Sequence, residues 1–260
     1  MKKLLSFLFA FTAFGLAGCL DVQEDFSINA DGTGVYKTTA DMSGMWDMLQ
    51  MAAMMDTSSN GQMKQFSEKN IDSVIYLKPI IDTATNLTEE DKALLRDATM
   101  HMQVKQADKV FRMTMTYPFK KIEDIEKIIK LHEGGKGFNP MRQMKGDPSV
   151  SGGMGEGMGE SMPSTSNFLD MEFKKGSITR KLDEKKLEEM QKDEDMNEMK
   201  KAESLLSQIT FSTAIRLPKA ITSAKGDKIS VSDDKRTVLI KTNMLDMIKN
   251  PKSLEFKIEY

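Results

Sequence analysis

Between residues 22 and 41, apolar and polar positions alternate on either side of Asp31-Gly32. Val22, Phe26 and Ile28 share one parity before the turn, and "VYKTTADM" returns after it. Alternate side chains of a strand face opposite ways and Asp-Gly suits a tight turn, so this stretch predicts a β-hairpin. The period then changes. Met42, Met45, Met48, Met51 and Met54 recur at every third position, with Trp46, Leu49, Ala52, Ala53 and Met55 among them. A helix advances about 100° per residue, so steps of three walk around its surface rather than lining one face. Only Ser43, Asp47 and Gln50 form a polar sector, and a helix apolar most of the way round is expected to be buried. A polar break over residues 56–70 follows. Residues 71–82 are rich in β-branched side chains and contain Pro79, which leaves strand and short helix both open. Thr88, followed by acids and by Asp91 three positions on, predicts a capped helix start. Met102 and Val104, then Phe111, Met113, Met115 and Tyr117, alternate around "QADK" as two strands. Ile122, Ile125, Ile128 and Ile129 mark an amphipathic helix.

Residues 134–166 break this pattern. Gly, Pro, Ser and Met dominate, and such a run buries too little apolar surface to offset its ordering entropy, which predicts a flexible linker or loop. Beyond it, "FLDMEF-KKG-SITRKL" predicts a second hairpin, and residues 183–208 a long charged helix with a narrow apolar stripe. Strands are expected over "ITFSTAIRLP", ended by Pro218, over "AITSAKGDKISVSDDKRTVLIKTNML" with polar turns, and at Leu254–Tyr260. Frequent hairpins mixed with helices predict an α+β fold of antiparallel sheet with packed amphipathic helices. The organisation expected is 1–18 an N-terminal signal, 19–25 an acidic tether, 26–133 and 167–260 two parts of one α+β domain, and 134–166 the linker between them.

Composition narrows the chemistry. In 260 residues the formal net charge is −2, and the basic residues are interleaved with acids, so no nucleic-acid partner is expected. One cysteine, Cys19, excludes an internal disulfide. There are 23 methionines, including Met141, Met144, Met154, Met158 and Met162 in the linker. Thioethers suit Cu(I), but five helical methionines that sweep roughly 240° do not converge on one ion. Asn29, Asp31 and Gly32 lack the Glu at the twelfth position of a calcium loop, where Ala40 stands, and so read as a turn. His101 and His132 each stand apart from other ligand types, His132 where a cation would suit a helix C-terminus. No nucleophile elbow, phosphate loop or dinucleotide fingerprint is present. The expectation is a non-enzymatic protein with no cofactor and no metal.

The N-terminus carries the one specific signal. Lys2 and Lys3 precede a nearly unbroken apolar run from Leu4 to Leu16, the layout of a secretory signal peptide and too short for a comfortable membrane span. It ends in Leu16-Ala17-Gly18-Cys19, which resembles the lipobox of bacterial lipoproteins. That resemblance implies that Cys19 receives a diacylglycerol, that the chain is cut before it, and that the new N-terminus is acylated. One acyl chain binds a bilayer marginally, whereas two or three anchor it. Leu20 in place of Asp implies the outer membrane of a two-membrane cell. "DVQED" resembles the acidic tether of surface-exported lipoproteins of Bacteroidota, and reads equally as a solvated acidic linker. The order of lipobox, "FSINADGTGVY" hairpin and C-terminal β-region is similar to uncharacterised bacterial envelope lipoproteins, which implies an architecture and no activity. The function expected is a membrane-anchored module for an envelope protein or glycan partner. The alternatives are a carrier of a lipid or other apolar ligand and, behind it, an envelope hydrolase.

Overall fold

The computed structural model describes residues 19–55, 70–133, 138, 168–192 and 203–260. The first hairpin forms as the alternation predicts, from β1 (Leu20–Ile28) and β2 (Gly34–Asp41). Its turn is closed by Asp31, whose carboxylate accepts the Thr33 N–H at 3.0 Å and the Thr33 hydroxyl at 2.8 Å, while Gly32 takes the left-handed φ of +87° that favours glycine. Residues 71–82, open between strand and helix, are both: β3 (Ile71–Tyr76) runs into α2 (Lys78–Thr83), with Pro79 in the first turn, where its missing N–H costs nothing. The capping box is present at the start of α3 (Glu89–Leu95). The Thr88 hydroxyl oxygen accepts the Asp91 N–H at 3.2 Å, and the Asp91 carboxylate accepts the Thr88 N–H at 3.1 Å. β4 (Thr99–Lys105), β5 (Val110–Phe119) and the amphipathic α4 (Asp124–Glu133) complete the first part. The linker expected over 134–166 lies outside the described residues except at Phe138, which is buried and donates its N–H to the Leu131 carbonyl at 2.8 Å. That residue packs into the core.

The second part contributes the hairpin β6 (Leu169–Lys174) and β7 (Ser177–Leu182), then α5 (Glu184–Lys192), α6 (Glu203–Leu206) and β8 (Ile209–Arg216). It closes with β9 (Ser223–Lys225), β10 (Ile229–Val231), β11 (Thr237–Asn243), α7 (Met244–Lys249) and β12 (Phe256–Glu259). The fold is α+β. Its strands form an eight-stranded sheet ordered β10-β11-β8-β1-β2-β5-β4-β3 and a four-stranded sheet ordered β6-β7-β12-β9. Both parts of the chain therefore share the larger sheet. Every neighbouring pair is antiparallel except β1 and β8, which run parallel from Leu20 opposite Ile209 to Ser27 opposite Arg216. The expected antiparallel sheet is present with this one parallel pair within it. A parallel pair needs a long crossover, and the chain between these two strands is long enough to supply it.

The expected tether over 19–25 is corrected as well. Leu20–Asp25 belongs to β1, which is hydrogen-bonded on both edges in the middle of the sheet. Leu20, Glu24, Phe26 and Ile28 point inward and are buried. Of the acids that read as a solvated linker, Asp21 and Asp25 fall on the opposite face, where the Thr210 hydroxyl donates to Asp21 and Asp25 lies near Lys37 and Arg216. The inner face of the large sheet carries one continuous core, covered by the small sheet and by α2, α3 and α4. A second, smaller core around Phe168, Leu206, Phe211 and Met247 holds α6 and α7. No residue on the outer face of β1, β2, β4, β5, β8 or β11 is fully buried. That face is hydroxyl-rich and polar: the Thr39 and Thr114 hydroxyls meet at 3.1 Å and Arg112 grips Asp41 with Nε at 3.0 Å.

Gly34 opens β2 where the backbone passes closest to its neighbours. A Cβ there would overlap the Ser27 carbonyl oxygen and the Phe119 ring. Gly34→Ala is expected to destabilise the domain by at least about 2 kcal/mol in urea unfolding, since neither the paired backbone nor the buried ring has room to retreat.

Candidate functional site

Cys19, the residue singled out by the sequence, sits immediately before β1 and is half-buried; its thiol donates to Gln208 Oε1 at 2.7 Å. Its surroundings follow from strand register. β8 starts beside it, because Ile209 pairs with Leu20, and α6 precedes β8. β2 ends beside it, because Asp41 pairs with Asp21, and a 3-10 turn (Ser43–Met45) leads straight into α1 (Trp46–Met55). The N–H of Met42 bonds the Phe111 carbonyl at 2.8 Å, and the Ser43 hydroxyl accepts the Phe111 N–H at 3.0 Å, so the start of this helix is tied to β5. Met42 and Trp46 are buried, and the indole N–H meets no acceptor among the described residues. The expectation of an all-round buried helix is wrong beyond this point. Met48, Met51 and Met54 are 55 %, 63 % and 84 % exposed. Met42 and Trp46 tie the start of the helix into the core, and these three methionines lie outside it.

A second cluster lies between the sheets and was not anticipated. Glu24 is buried on the inner face of β1, where its carboxylate accepts the Tyr36 hydroxyl at 3.3 Å and the Thr213 hydroxyl at 3.0 Å. Burial pushes its pKa up, against the opposing pull of the Arg180 charge and of these two hydrogen bonds. Arg180 of β7 is itself buried. Its Nε donates to the Leu254 carbonyl at 2.8 Å and its guanidinium lies 4.7 Å from the centre of the Phe256 ring. Burial lowers its pKa to about 10, with the Glu24 charge acting in the other direction. Beside this pair an aromatic row crosses the core. Phe173 meets Phe26 at 5.1 Å between ring centres, Phe26 stacks on Tyr36 at 4.7 Å, and Tyr36 stacks on Tyr117 at 5.8 Å. The signal for Glu24 was its parity, since it occupies an inward position of an otherwise apolar strand.

The row ends at His132, whose Nδ1 is 2.7 Å from the Tyr117 hydroxyl. Burial of the imidazole lowers its pKa to about 4, so at neutral pH it is uncharged. The expected role of His132 as a cation at the helix C-terminus is therefore corrected: it acts as a neutral partner of a buried tyrosine. His101 lies in the middle of β4 on the outer face, where Asp72 takes its Nε2 at 2.6 Å and the Lys105 ammonium at 2.9 Å. These bonds hold the Asp72 carboxyl far below the usual range. Among the described residues no three His, Cys, Asp or Glu side chains converge as a metal site would need. No described helix is long and apolar enough to cross a membrane.

Comparison with known proteins adds little. No family model matches the chain, and no curated protein does. A solved structure, the folded domain of the Mycobacterium tuberculosis LppM protein determined by NMR, is similar at 8 % identity with a TM-score of 0.39. That match covers 96 % of this chain and 94 % of that one. At that similarity nothing about this chain is inferred from it.

Two outcomes test the interior. Arg180→Ala leaves the Glu24 carboxyl buried without its opposite charge and is expected to cost about 3–5 kcal/mol in urea unfolding at pH 7. Adding Glu24→Gln to that variant should recover part of the loss, the mark of direct coupling. His132 binds a proton more weakly in the folded than in the unfolded chain, so stability is retained above about pH 6.5 and lost as pH falls toward 4. The slope contributed is at most about 1.4 kcal/mol per pH unit, and the residue's remaining surface exposure keeps it below that limit. In unfolding curves taken between pH 7 and 4, His132→Gln should remove this component.

Proposed function

We propose that this protein is a lipid-anchored, non-enzymatic component of a bacterial cell envelope, acylated at Cys19. The observation that carries the reading is the run from Lys2 to Cys19: a charged start, an apolar stretch and Leu-Ala-Gly-Cys at its end. In the proposed processing, Cys19 Sγ forms a thioether to a diacylglycerol. The donor lipid's headgroup leaves, and the thiol proton passes to a base of the modifying enzyme. The Gly18–Cys19 peptide bond is then hydrolysed and the freed amine acylated. The partly exposed thiol immediately before β1 is compatible with this chemistry, because the sulfur is reachable without unfolding a strand.

The domain acts as a binding or structural module. The outer sheet face, with Gln23, Thr39, Thr114, Ser212 and His101 along one row, is the surface offered to an envelope protein or glycan partner. Hydroxyl, amide and imidazole groups on a rigid sheet can bond either kind of partner without further ordering. The membrane is the outer one where the cell has two, since Leu20 and not Asp follows the modified cysteine.

Cells expressing the intact chain are expected to incorporate labelled palmitate into it and to carry it in the membrane fraction. Cys19→Ala should abolish the label and release the protein. Retained label in the variant overturns the assignment.

A further inference from the structure

We propose that the end of the eight-stranded sheet from which Cys19 emerges is a bilayer-docking surface, with Met48, Met51 and Met54 of α1 and Leu205 of α6 inserted at the boundary between headgroups and acyl chains. The inference rests on acylation of Cys19 and goes on to state how the anchored domain sits.

The first support is the absence of slack. β1 begins at Leu20, the residue after the anchor, and one extended residue spans only about 3.5 Å. Acyl chains carried by Cys19 therefore draw the end of a hydrogen-bonded central strand against the headgroups, and everything at that end comes with it. The second is register. Asp41 opposite Asp21 brings α1 to this end, and Ile209 opposite Leu20 brings α6. Gln208, which accepts the Cys19 thiol at 2.7 Å, lies three residues beyond Leu205.

The third support is what this end exposes. Met48, Met51 and Met54 are 55 %, 63 % and 84 % exposed and Leu205 is 49 % exposed, which makes it the richest concentration of exposed large apolar side chains among the described residues. Methionines three apart turn through about 60° at each step, so these three cover an arc of roughly 120° that widens away from the sheet. Their unbranched, polarisable side chains adapt to an irregular, mobile boundary. Buried Trp46 roots the helix in the core, so the arc keeps a defined direction. Charge does not oppose insertion. Asp47, within the same arc but one turn nearer the sheet, is paired with Lys109 at 2.7 Å, and Glu203 of α6 is paired with Lys249 at 2.9 Å. The stems of those lysines can lie along the apolar surface while their ammonium groups reach water. The apolar contact fixes orientation rather than supplying the anchor. It stands the strands away from the membrane, with the β1–β2 turn about 30 Å out.

Cys19 is the only native cysteine and would carry the lipid, so a second cysteine accepts a spin label uniquely. The acylated full chain is reconstituted in phosphatidylcholine vesicles with a label at Met51→Cys, Met54→Cys or Leu205→Cys, and at Asp31→Cys in the distal turn as reference. Flotation with the vesicles reports the anchor, and collision rates with oxygen and with a water-soluble nickel chelate report depth. The three labels are expected to meet the nickel chelate severalfold less often than the Asp31→Cys label and oxygen more often. Floating protein whose labels at all three positions collide with nickel as often as the reference overturns the docking surface and leaves the anchor standing. Protein that fails to float overturns the anchor, and the docking surface with it.

Discussion

The strand Leu20–Ile28 has neighbours on both edges, one reached through a five-residue turn and the other only after the chain has run on to Ile209. Its backbone groups leave water when it is buried, so both sets of partners have to be in place for the sheet to exist. The parallel pairing with Ile209–Arg216 thereby makes a single unit of two stretches that look separable along the chain. It also makes the fold costly to close. A contact across 189 positions is made only after the loop-closure entropy has been met, so such a topology belongs to the slow end of the folding range. The bond from Thr213 to Glu24 spans that same separation and forms only when the two strands have docked.

Around that pairing the interior is organised by polarity as much as by shape. The aromatic row from Phe173 to Tyr117 ties the small sheet to the large one, and Glu24 with Arg180 places opposite charges inside the same layer. Burial of charge is expensive, and here each group keeps partners: two hydroxyls donate to Glu24, and Arg180 has a carbonyl acceptor and an aromatic face. These directional contacts define how the two sheets face each other, which a purely apolar interface would specify less sharply. The outer face has no such interior and remains polar, with its acids and bases answering one another across the strands.

The position of Cys19 then gains a mechanical meaning. An anchor on a flexible tether leaves a domain free to tumble, whereas an anchor one residue from a central strand transmits its position to the whole sheet. In the proposed arrangement the exposed methionines lie beside the anchor. The polar face extends away from the membrane, toward whatever the module contacts.

Much of the local structure was legible in the chain. The Asp31-Gly32 turn, the Thr88–Asp91 capping box, the strands flanking "QADK" and the isoleucine face of α4 each depend on side chains within a few positions of one another, and period and capping chemistry report such contacts directly. Helix and strand over 71–82 were indistinguishable by composition because the stretch holds both. Other features depended on partners far away in the chain. Leu20–Asp25 looks like a solvated acidic linker until β8 fills its second edge. Glu24 looks like a surface acid until Arg180 and Thr213 arrive opposite it. His132 looks like a helix-end cation until packing beside Tyr117 strips part of its water and weakens its hold on a proton. Met48, Met51 and Met54 look like core residues until the fold leaves them outside its core. The sequence by itself determined most of the local strands, turns and helix caps, and singled out Cys19. Only the tertiary structure decided which faces lost their water, because burial belongs to neighbours that period and propensity do not record.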